Sequence, residues 1–301
     1  MVDISVVIVN YNTQNYLKEC VESIYNCGFN LSKLQIIVVD NFSRDTSILN
    51  LKEYISKNRD FTDLDIVVND SNLGFSKAIN IGLSRCNGKY VCILNPDTFV
   101  KKDCFTNMKS YLDLNPNIGC ATAKVLNSDN SLQISCKRSL PGIVNSFYKI
   151  IGLDKLFPNN KHIGSFNLLY LDEYAIHKVE VISGAFMFLR SETIKRVGLF
   201  DESFFMYCED TDYCLRMNKQ GIEVYYYPFA EVVHYRGKSA NSHPFKVIGY
   251  FHDSMFKYYK KHRYENRLWR EVSFLIMLSI KVKKYVSYFH LMIKRILKRY
   301  E

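Results

Sequence analysis

No stretch of this chain constrains its fold more than Tyr90–Asp97, YVCILNPD. Five strand-forming apolar residues stop abruptly at Asn95, a helix-breaking Pro96 and the carboxylate of Asp97. A strand this apolar is covered on both faces, as strands of parallel α/β sheets are. Ile4–Val9 reads the same way, Leu34–Val39 and Leu64–Val68 read as further strands, and the first two of these three break off in Asn10-Tyr11-Asn12 and Asp40-Asn41. Between them lie stretches with helical spacing: Tyr16–Tyr25 (Leu17, Val21, Ile24), Leu49–Ile55, and Ser76–Arg85 after the turn Asn72-Leu73-Gly74. Strands alternating with helices predict βαβ units and a mostly parallel, Rossmann-like sheet flanked by helices.

Beyond residue 100 the pattern loosens. A helix is predicted over Cys104–Leu114 and a strand over Gly119–Leu126. Ser135–His177 has little periodicity and carries Pro141, Gly142, Pro158 and Asn159-Asn160, so it reads as a long, partly helical insertion. Strand character returns over Val179–Arg190 around Gly184, followed by a short helix at Glu192–Val197. A helix over Asp210–Gln220 is closed by Gly221, and short strands follow at Glu223–Tyr227 and Glu231–His234.

A chain of 301 residues can bury a sizeable core. Its nine cysteines, odd in number and without a CxxC pair, argue against a disulfide framework or a zinc site and suit a reducing cytoplasm. Neither a signal peptide nor an 18-residue apolar run is present, so no transmembrane helix is expected. The formal charge of +10 sits wholly in residues 245–301, where 14 Lys/Arg face 4 Asp/Glu.

Polar side chains gather at three predicted strand ends: Asn10/Asn12, Asp40/Asn41 and Asn95/Asp97. In a parallel sheet these share the edge where ligands bind. Asp40 there could accept from a base or ribose, and Asp97 could hold a divalent cation on a diphosphate. Asp and Asn also end strands as ordinary turn residues, and for any one of them that reading serves equally. The turn Asn72-Leu73-Gly74-Phe75 feeds a helix bearing Lys77 and Asn80, and a helix N-terminus favours anions. Neither GxGxxG nor GxxxxGK[ST] occurs. Glu209, Asp210 and Asp212 open a helix behind the aromatic run Phe204-Phe205-Met206-Tyr207. The helix dipole alone favours acids in a first turn. A carboxylate beside such a wall can also have its pKa raised and serve as a base. His234 closes an aromatic strand further on.

Taken in order, these pieces resemble family 2 inverting glycosyltransferases of the GT-A fold, especially the bacterial rhamnosyltransferase-like branch. The matching segments are Val6–Asn12, Val38–Ser43, Asn72–Asn80, Leu94–Asp97, Ser183–Arg190, Phe200–Arg216 and His234–Ser239. The resemblance implies a GT-A domain over residues 1–244. Residues 1–100 would be its nucleotide-binding half and 101–244 its acceptor-side half, with a basic amphipathic helical extension over 245–301. It implies that Val9, Asn10, Tyr11, Asp40, Asn72, Gly74, Lys77, Asn95 and Asp97 line the nucleotide-sugar site. Asp97 and His234 would hold Mg²⁺ or Mn²⁺. Asp210 would be the general base, with Glu209 beside it, and Gly184, Ala185 and Glu209 would face the acceptor. Asn95 stands where the family's DxD motif has its first Asp, which leaves one direct carboxylate on the metal. Val179–Ala185 also lacks the Asp-Trp pair of many relatives.

The implied reaction moves a sugar from a nucleoside diphosphate (dTDP-rhamnose or a UDP-hexose) to a hydroxyl of a glycan acceptor, lipid-linked, in cell-surface polysaccharide assembly. A nucleotidyltransferase would need a Gly-rich basic loop after the first strand, where Asn10-Tyr11-Asn12-Thr13 stands. A processive synthase would need transmembrane helices and a QxxRW motif, and neither is present. The rival from another class is a non-catalytic nucleotide-sugar- or glycan-binding subunit on the same fold. In the extension, apolar residues recur at 275, 278, 282, 285, 289, 292 and 296 beside Lys281, Lys284, Lys294, Arg295, Lys298 and Arg299. Such a helix can lie in an anionic membrane surface, which would place the protein peripherally on the inner face of the cell membrane. The same spacing describes a helix seam, so packing on the domain or in a homodimer stays open. No nucleic-acid motif accompanies the charge.

Overall fold

The computed structural model describes residues 1–57, 64–235, 244–262 and 267–297. The first half runs β1 (Ile4–Asn10), α1 (Tyr16–Tyr25), β2 (Leu34–Asp40), α2 (Ser47–Lys57), β3 (Leu64–Val68), α3 (Phe75–Leu83), β4 (Tyr90–Leu94) and β5 (Thr98–Val100). Next come α4 (Cys104–Leu114), β6 (Ile118–Leu126), β7 (Lys137–Arg138), α5 (Ile143–Ile150), α6 (Leu153–Leu156), β8 (His177–Lys178), β9 (Val181–Ile182) and β10 (Phe186–Arg190). The chain continues through α7 (Ser191–Val197), α8 (Glu209–Lys219), β11 (Glu223–His234), α9 (Pro244–His262), α10 (Arg267–Glu271) and α11 (Ser273–Leu297).

Among the described residues, nine strands form one sheet in the order β3-β2-β1-β4-β10-β6-β11-β5, with β8 paired to β11. β1, β2 and β4 are buried at every position, as their continuous apolar runs predict, and they pair in parallel. β10 enters antiparallel between β4 and β6, while β6 and β11 run parallel. Its start at Phe186 therefore lies opposite Leu94, the end of β4. That reversal brings the ends of β1, β2, β4 and β11 and the start of β10 to one edge.

The sequence predicts two short strands where β11 is one of twelve residues. Its register to β6 slips between Tyr227 and Glu231, around Pro228, which has no N–H to give the ladder. The expected strand over Val179–Arg190 is instead broken at Ser183-Gly184-Ala185 into β9 and β10. β5 and β7 have no counterpart in the sequence reading, being too short to show a period.

α9 lies on the loop before α8. Ser254 Oγ donates to the Met206 carbonyl at 2.7 Å, Lys257 reaches the Ser203 carbonyl, and Lys261 Nζ bridges Asp201 and Asp212 at 2.6 Å each. α11 packs along α9 through Ile280, with Lys284 paired to Asp253 at 2.6 Å. Its opposite face carries the predicted apolar stripe: Leu275, Leu278, Val282, Tyr285, Phe289 and Met292 are 47–70% exposed. Residues 236–239 of the last matching segment, and Lys298 and Arg299, lie outside the described residues, as do the side chains of Lys294, Arg295 and Ile296. No helix among the described residues is long and apolar enough to cross a membrane.

Candidate active site

Asp97 follows β4, and His234 ends β11 opposite Thr98. Their side chains meet, with His234 Nε2 3.2 Å from Asp97 Oδ1 and 3.2 Å from Asn95 Nδ2. Gln133 sets the ring. Its Nε2 donates to Asn127 Oδ1 at 3.2 Å, so its Oε1 faces His234 Nδ1 at 2.9 Å and accepts from it. Nδ1 then donates to Gln133, and Nε2 faces both Asn95 Nδ2 and the Asp97 carboxylate. An imidazole nitrogen and a carboxylate oxygen at this separation suit a cation between them. This donor set fits Mg²⁺ or Mn²⁺ that takes its other ligands from a diphosphate and water. Among the described residues no group of three or more His, Cys, Asp or Glu is arranged to hold a metal ion.

The residues expected on the nucleotide side form a hydrogen-bonded floor. Asn10 Nδ2 reaches Asp40 Oδ1 at 2.7 Å and Ser47 Oγ at 2.8 Å, and the Ser43 amide donates to Asp40 Oδ2 at 3.0 Å. Asp40 is buried with both oxygens engaged, so in this arrangement it shapes the loop after β2. Asn41 does the same for the next turn, donating to Asn72 Oδ1 at 2.9 Å and the Gly74 carbonyl at 3.2 Å and accepting from the Leu73 amide at 3.0 Å. Gly74 has φ +85°, and a Cβ there would stand 2.7 Å from Phe205, so only glycine fits. The Phe75 amide donates to the Phe205 carbonyl at 2.6 Å, which ties this turn to the aromatic run before α8. Val9 is buried, Tyr11 half-buried, and Lys77 exposed on the first turn of α3.

Glu209 and Asp210 open α8 directly after Tyr207 (φ 71°) and Cys208 (φ 63°). Left-handed residues of this size cost about 1–3 kcal/mol each and persist only where neighbours hold them, as α9 does here. The two acids have separate environments. Burial first, and the charge of Asp210 second, push the Glu209 carboxyl up to about 8, and its Oε2 has no hydrogen-bond partner among the described residues. Asp210 Oδ2 takes a salt bridge from Arg138 at 2.8 Å, and its Oδ1 accepts from the Thr211 amide at 2.6 Å. Glu209 is thus held toward its neutral form, while Asp210 is ion-paired with Arg138. A Cβ at Gly184 would lie 3.6 Å from the Phe75 ring, 3.9 Å from Asp210 and 4.0 Å from Glu209, so this glycine keeps the space beside both acids open.

Two backbone links join the centres. The Asn95 amide donates to the Ala185 carbonyl at 3.1 Å, and the Gly184 amide approaches Asp210 Oδ2 at 3.4 Å. Strand-end carboxylate, histidine, small residues and Glu-Asp pair share one edge of the sheet. A sequence model of the family "Glycosyl transferase family 2" matches residues 5–177. The chain belongs to glycosyl transferase family 2. Within it, the rhamnosyltransferase WbbL of Escherichia coli K12 is 25% identical over 266 residues, which are 86% of this chain and 93% of that protein. The N-acetylglucosaminyl-diphospho-decaprenol L-rhamnosyltransferase of Mycobacterium tuberculosis H37Rv is 24% identical over 65% of this chain and 66% of its own length. The GT-A architecture matches that of the mannosyltransferase PcManGT of Pyrobaculum calidifontis, solved with GDP-Man and Mn²⁺. The TM-score is 0.58 at 18% identity, covering 86% of this chain and 63% of that one.

Two residues at the site have no local signal in the sequence. Arg138 and Gln133 come from aperiodic stretches and reach Asp210 and His234 across 72 and 101 residues. Asn41 is visible only as one of several strand-end polar residues.

Proposed function

We propose that this glycosyltransferase moves a sugar, with inversion, from a nucleoside-diphosphate donor to a hydroxyl of a lipid-linked glycan acceptor. The observation that carries the reading is the pairing of Asp97 with His234 on the edge where the Gly184-Ala185 backbone links Asn95 to Asp210. The acceptor oxygen attacks the anomeric carbon from the face opposite the diphosphate, and the bond from that carbon to the diphosphate breaks with its electron pair leaving on phosphate oxygen. Asp210 takes the hydroxyl proton. Glu209, neutral in its buried setting, lines the acceptor side as a hydrogen-bond donor. Asp97 and His234 would hold a divalent cation, whose charge would neutralise the leaving diphosphate. Such a leaving group needs no protein acid, unlike the alcohol released in glycoside hydrolysis.

The names of the two rhamnosyltransferase relatives favour dTDP-rhamnose as donor, with a UDP-hexose as the next choice. The diphospho-decaprenol in one of those names favours a polyprenyl-linked acceptor. The exposed stripe of α11 and the basic residues beside it suit peripheral contact with the inner face of the cell membrane. Thermal shift with a panel of nucleotide sugars, with Mg²⁺ or Mn²⁺ present, tests the donor. One nucleotide sugar raises the melting temperature by mass action, and its free sugar does not. No shift with any nucleotide sugar contradicts the reading.

A further inference from the structure

The excursion between β7 and β8 carries a second apolar surface that sugar transfer does not use. In α5 and the turn after it, Val144, Phe147, Ile150 and Ile151 recur on one helical face, and Leu156 and Phe157 follow. All six are 50–73% exposed. The polar groups of the same segment turn inward. Asn145 accepts from the Gly142 amide at 2.7 Å and donates to Ser139 Oγ at 3.0 Å. Lys149 donates to Asn167 Oδ1 at 2.8 Å, and Asn167 in turn donates to the buried Asp154 at 3.4 Å. This inverts the usual arrangement of a water-facing helix, which hides its apolar stripe and shows its polar one. Exposed apolar surface grouped in this way marks an interaction site.

Charge identifies the occupant. Between residues 139 and 171 the sequence has Lys149, Lys155 and Lys161 and one acid, Asp154, which is buried. The other nearby acids, Asp172, Glu173 and Glu180, lie at the root of the excursion, where Glu180 accepts from the Leu140 amide at 2.9 Å. Apolar side chains followed along the chain by the exposed Lys155 and Lys161, with the one acid of the segment buried, complement an anionic, apolar-cored surface.

We propose that the 143–157 segment seats on an anionic phospholipid bilayer as a contact separate from α11. The excursion begins one residue after Arg138, the partner of Asp210, so this contact sets the acceptor side of the site against the lipid surface. The inference rests on exposure and charge alone, and its readout needs neither donor nor turnover.

The test uses the full chain with its single tryptophan replaced, Trp269→Phe, and a reporter placed by Phe147→Trp. With phosphatidylglycerol vesicles, emission shifts to the blue and brominated lipid removes about half of it, while phosphatidylcholine vesicles leave it unchanged. Phe147→Ser with Ile151→Ser, both at exposed positions, keeps the melting temperature and weakens vesicle co-sedimentation about tenfold or more. The proposal is overturned if the reporter keeps the emission of a water-exposed indole while the chain sediments with vesicles. It is equally overturned if no chain sediments, or if the blue shift follows protein concentration without lipid, which would mark self-association.

Discussion

At residue scale, His234 owes its place to pairings that the sequence does not display. Strand register puts it opposite Thr98, and Gln133 fixes its tautomer so that Nε2 faces Asp97. If both groups hold the cation, His234→Ala raises the Mn²⁺ needed for half-maximal activity about tenfold or more. Superimposed metal titrations for the variant and the wild type would leave His234 a structural residue. Glu209 makes a prediction of the opposite electrical kind. Its folded-state pKa, about 8, lies above the ordinary 4.5. Its contribution to stability is fully present below the ordinary value and is lost as pH rises through about 8. Wild-type melting temperature therefore declines over that window, and Glu209→Gln, which cannot ionise, flattens the decline. A variant with an unchanged pH profile would mean that Glu209 is ionised in the folded protein. Asp97, Asp210, Glu209 and His234 were all legible as candidates because strand ends and a helix start expose them in the sequence. Arg138 was not, since nothing local in an aperiodic stretch tells which carboxylate a distant arginine will meet.

At the scale of elements, α9 supports the loop that leads into Glu209 and Asp210. Asp212, fully buried two residues after Asp210, receives Arg216 at 3.0 Å, Lys261 at 2.6 Å and His262 at 2.8 Å. Burial alone would raise its pKa, but the hydrogen bonds from His262 and Lys261 and the charges of Lys261 and Arg216 outweigh this and hold it below the ordinary 3.8. Its stabilisation is thus present above 3.8 and lost as pH falls through the lower folded value. Asp212→Ala leaves Arg216, Lys261 and the His262 ring without their buried partner and costs about 3 kcal/mol, measured by denaturant unfolding near pH 7, with the difference shrinking in acid. A loss near zero at pH 7 would mean that α9 is held without the Asp212 ion pairs. The elements α1, β3, β4 and α4 lie where hydrophobic period places them. β10 shows the limit of such reading. FMFLR is legible as a strand, but its antiparallel insertion between β4 and β6 depends on partners 60 or more residues away.

At the scale of the whole molecule, the fold gathers the hydrogen-bonded loops after β1 and β2, the Asp97–His234 pair and the Glu209–Asp210 pair on one sheet edge and leaves apolar surface on α11. If α11 meets lipid, Leu278→Ser with Val282→Ser and Phe289→Ser weakens co-sedimentation with phosphatidylglycerol vesicles by about a hundredfold. Equal sedimentation of the variant and the wild type would assign that stripe to another partner. The central claim is that Asp210 receives the acceptor proton during sugar transfer. Its most direct test is Asp210→Asn, which preserves shape and removes the base. Nucleoside-diphosphate release is measured with donor, Mn²⁺ and a polyprenyl-linked acceptor present, and donor affinity is measured alongside by thermal shift. The account predicts donor affinity within about twofold of wild type and release slowed by about a hundredfold or more. Near-normal release from the Asp210→Asn enzyme would contradict it.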